Sequence, residues 1–388
     1  MTSIDAAAVS VPHALPAWVY GHPQLAGLEL ERVLRPSWQL VCHVNNIPKP
    51  GDYQTFDLGG DGVIVLRDRD GTVRAFHNAC RHRGARLLDG AGSCPTGTVT
   101  CPYHGWTYRH DGALIGAPVK DRFPHLDRTQ LGLRAVRVDV AFGFVFVCLA
   151  HDTEWGPPAP VATTWGELGG ELVTSDCEAM VPLSPITCDI WNVDWKVAMD
   201  NYLESYHVPI GHPGLYRMFT PDYEDQATVP GVARGRSWLR AQRSPRWSEG
   251  MYQALINRAV RQPAPPIPHC WRFYSALPNL GIDIFPEQMD FFQVLPGPPG
   301  SCIVRSGLFG LPSASREMRA VRYLGRRINA AVNAEDKWLC ERVQRGLASS
   351  SYTPGPLSQL EGNMLEFHEL LRARIPAFRL PRPPMHFE

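Results

Sequence analysis

Two short motifs in this chain pair a thiol with an imidazole. Cys80 and His82 stand in the run Cys-Arg-His, Cys101 and His104 in the run Cys-Pro-Tyr-His, with eighteen residues between the pairs. Each pair follows a strand-like run and precedes a turn, so two loop tips could meet around a metal. Thiolate and imidazole together suit zinc or iron–sulfur chemistry. A zinc knuckle fits the spacing. So does a [2Fe–2S] cluster in which two cysteines hold one iron and two histidines the other, raising the reduction potential. The order Cys-His then Cys-His matches the second pairing. Arg83-Gly84-Ala85 and Gly105-Trp106 would supply tight loops and a bulky shield.

The second constellation is DNYLESYHVPIGH, from Asp200 to His212. Placed on a helix, Asp200, Glu204 and His207 fall at i, i+4 and i+7 and share one face. Val197, Leu203 and Tyr206 supply apolar contacts, and Pro209 ends the helix near Val208. His212 follows beyond it. His-x4-His beside a carboxylate suits a first-row metal with nitrogen ligands, although a solvated helix face would carry the same residues. A non-haem iron(II) takes two histidines and one carboxylate and keeps other positions open. The carboxylate is expected from NAEDKWLCERVQRGL. There Val332, Asp336, Leu339, Val343 and Leu347 form one apolar stripe at helical spacing, and Asp336 is its only charge. A buried unpaired carboxylate is costly, so Asp336 is expected to meet a metal or, failing that, an arginine. Glu335, about 100° away around the helix, is expected in solvent.

The elements that must position these groups are legible in outline. The chain has 388 residues, enough for two cored domains, and its 38 basic and 38 acidic residues balance. A neutral balance gives no reason to expect nucleic acid or an anionic membrane as partner. No apolar run approaches bilayer-spanning length and no export signal is visible, so a cytoplasmic protein is expected. Ten cysteines without such a signal read as free thiols rather than a disulfide framework. Residues 1–37 are expected to pack on a catalytic domain, with LAGLELERVL as a short amphipathic helix. Residues 38–155 read as a small antiparallel β domain: YQTFDL, VIVLRDR, TVRAFHNA, TVTCPY, WTYRHDG and FGFVFVCLA alternate with Gly-Asp and Asp-Gly turns. PPAPVATTW, Pro157 to Trp165, reads as a linker. Residues 156–388 read as a second, α+β domain. RQPAPPIPHC from Arg261 is a loop or lid. CWRFYSA, GIDIFPE, MDFFQVLP and CIVRSGLFGLP are strands of one antiparallel sheet, followed by helices over Ser315–Leu347 and Leu360–Arg374.

With both motifs in place, the chain resembles the catalytic α subunit of a Rieske non-haem iron oxygenase over nearly its full length. SWQLVCHVNNIPKPGDY, CRHRGARLL, CPYHGWTY, DWKVAMDNYLESYHVPIGH and EDKWLCERVQRGL carry the likeness. The resemblance implies an α+β protein with a small antiparallel β Rieske domain and a helix-grip (START-like) catalytic domain. It implies that Cys80, His82, Cys101 and His104 hold the Rieske [2Fe–2S] cluster, and that His207, His212 and Asp336 hold mononuclear Fe(II). Glu204 matches the acid that links a Rieske histidine of one subunit to an iron histidine of the next, in a homotrimer. Asp200 and Asn201 are grouped with it as catalytic. In many ring dioxygenases that acid is aspartate, one residue further from the asparagine; the shorter segment here resembles the carnitine and betaine demethylase branch. The implied activity uses O2 to hydroxylate or oxidatively demethylate a small organic substrate. Aromatic cis-dihydroxylation is the alternative, and a non-enzymatic Rieske or zinc-stabilised binding protein a remote one. No Gly-x-Gly-x-x-Gly follows a strand, so NAD(P)H is expected on a partner reductase, with or without a ferredoxin. Trp238, Trp271, Phe273, Tyr274 and Phe285 could cage a methylated ammonium, stack on an aromatic ring or fill the core. Arg305 is expected at the surface rather than on a substrate carboxylate.

Overall fold

The structure, a computed structural model, describes residues 12–119, 122–123, 125–150, 158–221, 224–260 and 269–386. Ten described strands lie in the first part: β1 (Gln39–His43), β2 (Asp52–Leu58), β3 (Asp61–Arg67), β4 (Val73–His77), β5 (Ala91–Ser93), β6 (Thr98–Thr100), β7 (Thr107–Arg109), β8 (Leu114–Gly116), β9 (Arg137–Ala141) and β10 (Phe144–Cys148). They pair in antiparallel sheets ordered β4-β3-β2-β5, β6-β7-β8 and β1-β10-β9. Each strand run read from the sequence appears here, because β-branched and aromatic residues alternate between Gly-rich turns.

The second part holds one antiparallel sheet. Its strands are β11 (Val181–Pro182), β12 (Thr187–Trp191), β13 (Glu224–Val229), β14 (Val232–Trp238), β15 (Cys270–Ala276), β16 (Leu280–Ile284), β17 (Met289–Pro296) and β18 (Cys302–Gly310). They run in the order β11-β18-β17-β16-β15-β14-β13, with β12 also paired to β18. The helices are α1 (Leu25–Glu29), continued by a wider turn over Leu30–Leu34, α2 (Val161–Val173), α3 (Trp195–Tyr202), α4 (Val208–Gly211), α5 (Pro213–Met218), α6 (Trp247–Ala259), α7 (Arg316–Leu347) and α8 (Gly362–Arg374). Ser315 caps α7 by accepting the Met318 N–H at 3.1 Å. No described helix is long and apolar enough to cross a membrane.

Several expectations need correction. Val161–Trp165 is not linker but a short helical segment that opens α2 ahead of a kink at Gly166, capped by Pro160 and anchored by buried Val161 and Trp165. Pro157 lies outside the described residues, as do residues 261–268 of the expected lid. Arg305 is not at the surface. It is 6% exposed, donates to the carbonyls of Leu40 and Val41 at 2.8 Å each, and lies over the Phe56 ring. It therefore ties β18 to β1. One core runs through both parts, joining Val41, Phe56 and Val63 to Trp195, Val294 and Phe367. Inside it Lys196, fully buried, reaches Glu29 at 2.5 Å and Asp194 at 2.7 Å. All ten cysteines are free.

Candidate active site

The long helix expected over the second motif is broken into pieces. α3 is capped by Asp194, whose side chain accepts the Lys196 N–H at 2.9 Å, and stops at Tyr202. Buried Leu203 closes it, and Glu204 begins a turn. Glu204 Oε2 accepts the His207 backbone N–H at 3.1 Å, and its Oε1 lies 2.5 Å from His207 Nδ1. Pro209 does not end the first helix; it sits in the opening turn of α4, where its missing N–H is not needed. Asp200 therefore does not share a face with Glu204 and His207. It binds the Tyr20 hydroxyl at 2.6 Å and His368 Nε2 at 2.9 Å, tying α3 to the N-terminal segment and α8. Asn201 Nδ2 lies 3.4 Å from His207 Nε2. Tyr206 is 62% exposed and supplies no core contact.

His212 stands between α4 and α5, buried, with Nδ1 2.9 Å from Glu335 Oε2. Glu335 is thus not merely solvated. α7 carries both acids to the site, and Asp336 Oδ1 lies 2.9 Å from His212 Nε2 and 3.6 Å from His207 Nε2. Close approach needs Gly211: a Cβ there would meet Leu339 Cδ1 at 2.9 Å and His207 Cδ2 at 3.2 Å. The apolar stripe on α7 is interrupted where expectation had it continue. Val343 is 52% exposed, because this turn faces a surface groove that it shares with Leu339, Asp200, Asn201 and Glu204.

These contacts test whether a metal fits. Glu204 and Glu335 draw the ring protons to Nδ1, so both Nε2 atoms present lone pairs. They face each other at 3.1 Å, and Asp336 Oδ1 beside them is buried without an aligned hydrogen bond. Three converging acceptors repel unless a cation or a proton sits among them. Adjacent ligands of a first-row ion, each about 2.1 Å from it, stand about 3 Å apart. His207, His212 and Asp336 fit that ion, and their ligand atoms all lie within 4.8 Å of one another. Without one, burial pulls His207 down, but Asp336 and Glu204 outweigh it and raise the imidazole to about 9.

The first motif forms two matching loops. The Cys80 N–H donates to the Ala85 carbonyl at 2.8 Å and the Gly84 N–H to the Cys80 carbonyl at 2.9 Å. Cys101 repeats the pattern with Trp106 at 2.7 Å and Gly105 at 3.1 Å. Gly84 and Gly105 have φ of 73° and 72°, open to glycine at little cost. Both cysteines are buried; His104 is exposed at the tip, its ring centroid 4.8 Å from that of His82. Trp106 stacks on His82 at 4.9 Å, the shield expected of it. His82 Nδ1 is buried without a hydrogen-bonding partner. Tyr108 Oη accepts the Arg81 N–H at 3.0 Å and leaves its own proton for Cys80 Sγ, 3.2 Å away. Buried sulfurs, an orphaned imidazole nitrogen and a donor aimed at sulfur fit a cluster held by two cysteines and two histidines.

Beside the His207–His212–Asp336 group opens a cavity of about 140 Å³. Trp271, Phe273 and Phe285 line it, as three of the five aromatic candidates; Trp191, Phe219, Phe291 and Phe292 add to the wall. Tyr274 instead donates to Glu171 at 2.6 Å, and Trp238 is not in the lining. The sequence reading missed Glu335 and Tyr108, although Tyr108 follows the second motif by four residues. It also missed Asp283 and Asp290, which face this cavity.

Comparison with known proteins gives two family matches: Rieske [2Fe-2S] domain over residues 37–131, and Ring hydroxylating alpha subunit (catalytic domain) over residues 177–377. The chain is 32% identical to the chloroplastic choline monooxygenase of Arabidopsis thaliana over 368 residues, 92% of this chain and 81% of that protein. It is 30% identical to the glycine betaine monooxygenase oxygenase subunit of Chromohalobacter salexigens over 374 residues, 89% and 82% of the two chains. Among solved structures, the quaternary ammonium Rieske monooxygenase CntA in complex with L-carnitine superposes with a TM-score of 0.77 at 22% identity, over 94% of this chain and 96% of that one. A naphthalene 1,2-dioxygenase variant bound to phenanthrene gives 0.73 at 22%, over 94% and 93%. At these identities the structures establish the fold alone.

Proposed function

Because the chain belongs to the Rieske-type ring-hydroxylating oxygenases, as a catalytic α subunit, we propose that His207, His212 and Asp336 hold its mononuclear iron and that Cys80, His82, Cys101 and His104 hold its cluster. The protein is a monooxygenase component. It uses O2 and electrons from an NAD(P)H-dependent reductase to hydroxylate or oxidatively demethylate a small organic substrate. The observation that carries the assignment is the meeting of His207 Nε2, His212 Nε2 and Asp336 Oδ1, with both Nδ1 atoms held by Glu204 and Glu335.

When bound, the iron supplies open positions for O2 activation and the cluster supplies electrons one at a time. The chain's own residues do the rest. Glu204 and Glu335 fix the tautomer and plane of each ring and raise its basicity as a ligand. The aromatic wall excludes water from the reacting end of the cavity. Glu204 borders the surface groove, and His104 stands exposed on its loop. In a head-to-tail homotrimer the His104 tip of one subunit seats beside Glu204 of the next, and that carboxylate joins the two imidazoles. A cyclic trimer closes such a heterologous contact.

The substrate class is a quaternary or N-methylated ammonium compound. Relatives named for choline, glycine betaine and carnitine support it, as do the aromatic faces around the cavity, which attract ammonium groups. The cavity is close to the ~150 Å³ at which an engineered apolar cavity holds benzene, so it suits a compact molecule. The test is product analysis with iron-loaded enzyme, a reductase, NADH and O2. Hydroxylated or demethylated ammonium product matched to oxygen uptake is expected. Turnover confined to aromatic hydrocarbons, with cis-diol as product, would sink this reading.

A further inference from the structure

We propose that Asp283 and Asp290 are specificity-determining residues that select a small organic cation bearing no carboxylate, a choline-like ammonium rather than a zwitterion such as glycine betaine or carnitine. This rests on the ammonium reading above and sharpens it.

β16 and β17 are antiparallel neighbours, and Asp283 stands directly opposite Asp290 in their register. Directly opposed residues point to the same face, with Cβ atoms about 5 Å apart, and like charges so placed repel. Both line the cavity, together with Phe273, Phe285 and Phe292. Each lies deep in the protein, and the surface it keeps is cavity wall. Tyr202 Oη donates to Asp283 Oδ1 at 2.7 Å, Asn329 hydrogen-bonds Asp290, and among the described residues neither carboxylate has an ion-pair partner. Burial pushes Asp283 up to about 7 against the Tyr202 hydrogen bond. Burial, then Asp283 and Glu287, push Asp290 well above the usual carboxylate range.

Two facing acids in an aromatic wall are an unfavourable arrangement for a neutral substrate. Alone, the pair relieves its repulsion by keeping a proton; an organic cation between them takes that proton's place, and the aromatic faces add to its binding. The rest of the lining decides what the cation carries. It includes Asp336 and Glu204 but no lysine or arginine among the described residues. A substrate carboxylate would therefore enter beside Asp283 and Asp290, where the only basic groups of the described lining are the imidazoles of His207 and His212, already engaged by Glu204, Glu335 and Asp336, and like charge brought into an interface is rejected.

The experiment is anaerobic calorimetric binding to the metal-loaded enzyme. The probes are choline, glycine betaine, L-carnitine and 3,3-dimethylbutan-1-ol, the neutral carbon isostere of choline. Choline is expected to bind at least about tenfold tighter than each of the others. Asp290→Asn and Asp283→Asn should each weaken choline about tenfold or more while leaving the neutral isostere unchanged. Asp290→Asn should also keep or raise the melting temperature without ligand, which separates lost recognition from lost folding. Equal or tighter binding of the zwitterions, or unchanged choline binding in both variants, would overturn the proposal and leave the ammonium reading standing. If no ammonium compound binds while the neutral isostere does, both fall.

Discussion

At the residue scale the site depends on which atom of each ring holds a proton. Glu204→Gln keeps the shape and leaves an amide oxygen for His207 Nδ1, but removes the negative charge that two imidazoles would share. Iron and cluster content should stay near wild type while reductase-coupled turnover falls by roughly 10–100-fold. Normal turnover would remove Glu204 from the route between subunits. Glu335→Gln weakens the acceptor that holds His212 Nδ1, without the second contact that Glu204 makes to the His207 N–H. It should loosen iron by roughly 10–100-fold, read as metal retained after dialysis against a chelator, with the cluster's visible spectrum unchanged. Tyr108→Phe removes the hydroxyl that faces Cys80 Sγ and accepts the Arg81 N–H, and leaves the ring in place. The cluster should assemble, and its potential should fall, because a hydrogen bond to sulfur stabilises the reduced form; protein-film voltammetry reads this directly. The proposed ligand residues themselves were named from type, spacing and helical periodicity. Glu335 was not, because its partner His212 stands 123 positions earlier in the chain, and helical periodicity cannot say what fills the space beside a half-buried face.

At the element scale, local rules placed strands well and misjudged where α3 ends. Periodicity over Asp200–His207 is compatible with a helix, yet the chain turns at Leu203 because Glu204 is recruited to hold His207. A tertiary demand for ring orientation overrides propensity there. α3 is anchored at its other end by the buried group of Lys196, Glu29 and Asp194. Lys196→Met would leave two acids buried without their counter-charge, and should cost about 3–5 kcal/mol in denaturant unfolding. Adding Glu29→Gln to that variant should recover part of the loss. A melt unchanged by Lys196→Met would mean that the group is neutral in the folded chain.

At the scale of the whole molecule, the two parts are fastened by contacts that no local pattern announces. His43 on β1 is buried, its Nε2 3.0 Å from the Cys177 carbonyl and its Nδ1 accepting the Asn45 N–H. Burial pushes its pKa down to about 4, against the Cys177 hydrogen bond. A histidine held neutral contributes fully above its unfolded value near 6.5, and the contribution is lost as pH falls toward the folded value. By pH 5 the loss is about 2 kcal/mol. His43→Gln should flatten the fall of unfolding free energy between pH 7.5 and 5 by that amount; parallel curves would deny His43 this role. The proposed trimer makes its own prediction. Cys101→Ser subunits lack a cluster and His207→Ala subunits lack iron, so each variant alone should be inactive. Co-assembled in equal amounts, head-to-tail trimers bring a working pair together at roughly one site in four. Activity near that fraction is expected, and none would place both centres of each working pair in one subunit.

The sequence by itself offered the proposed ligands of both metal centres, because cysteine and histidine at fixed short spacings are tied to ligand geometry within one loop or turn, and Asp336 is the only charge on an apolar helical stripe. It also determined the strand pattern and the α+β class, since these rest on periodicities of two and 3.6 residues. Only the tertiary structure decided what surrounds those ligands: that Glu335 holds His212, that Arg305 is buried between β18 and β1, and that Asp283 and Asp290 meet across β16 and β17 in the cavity wall. Those facts depend on register and on contacts between distant segments. The energies that fix them come from burial shared among many residues rather than from any short run of the chain.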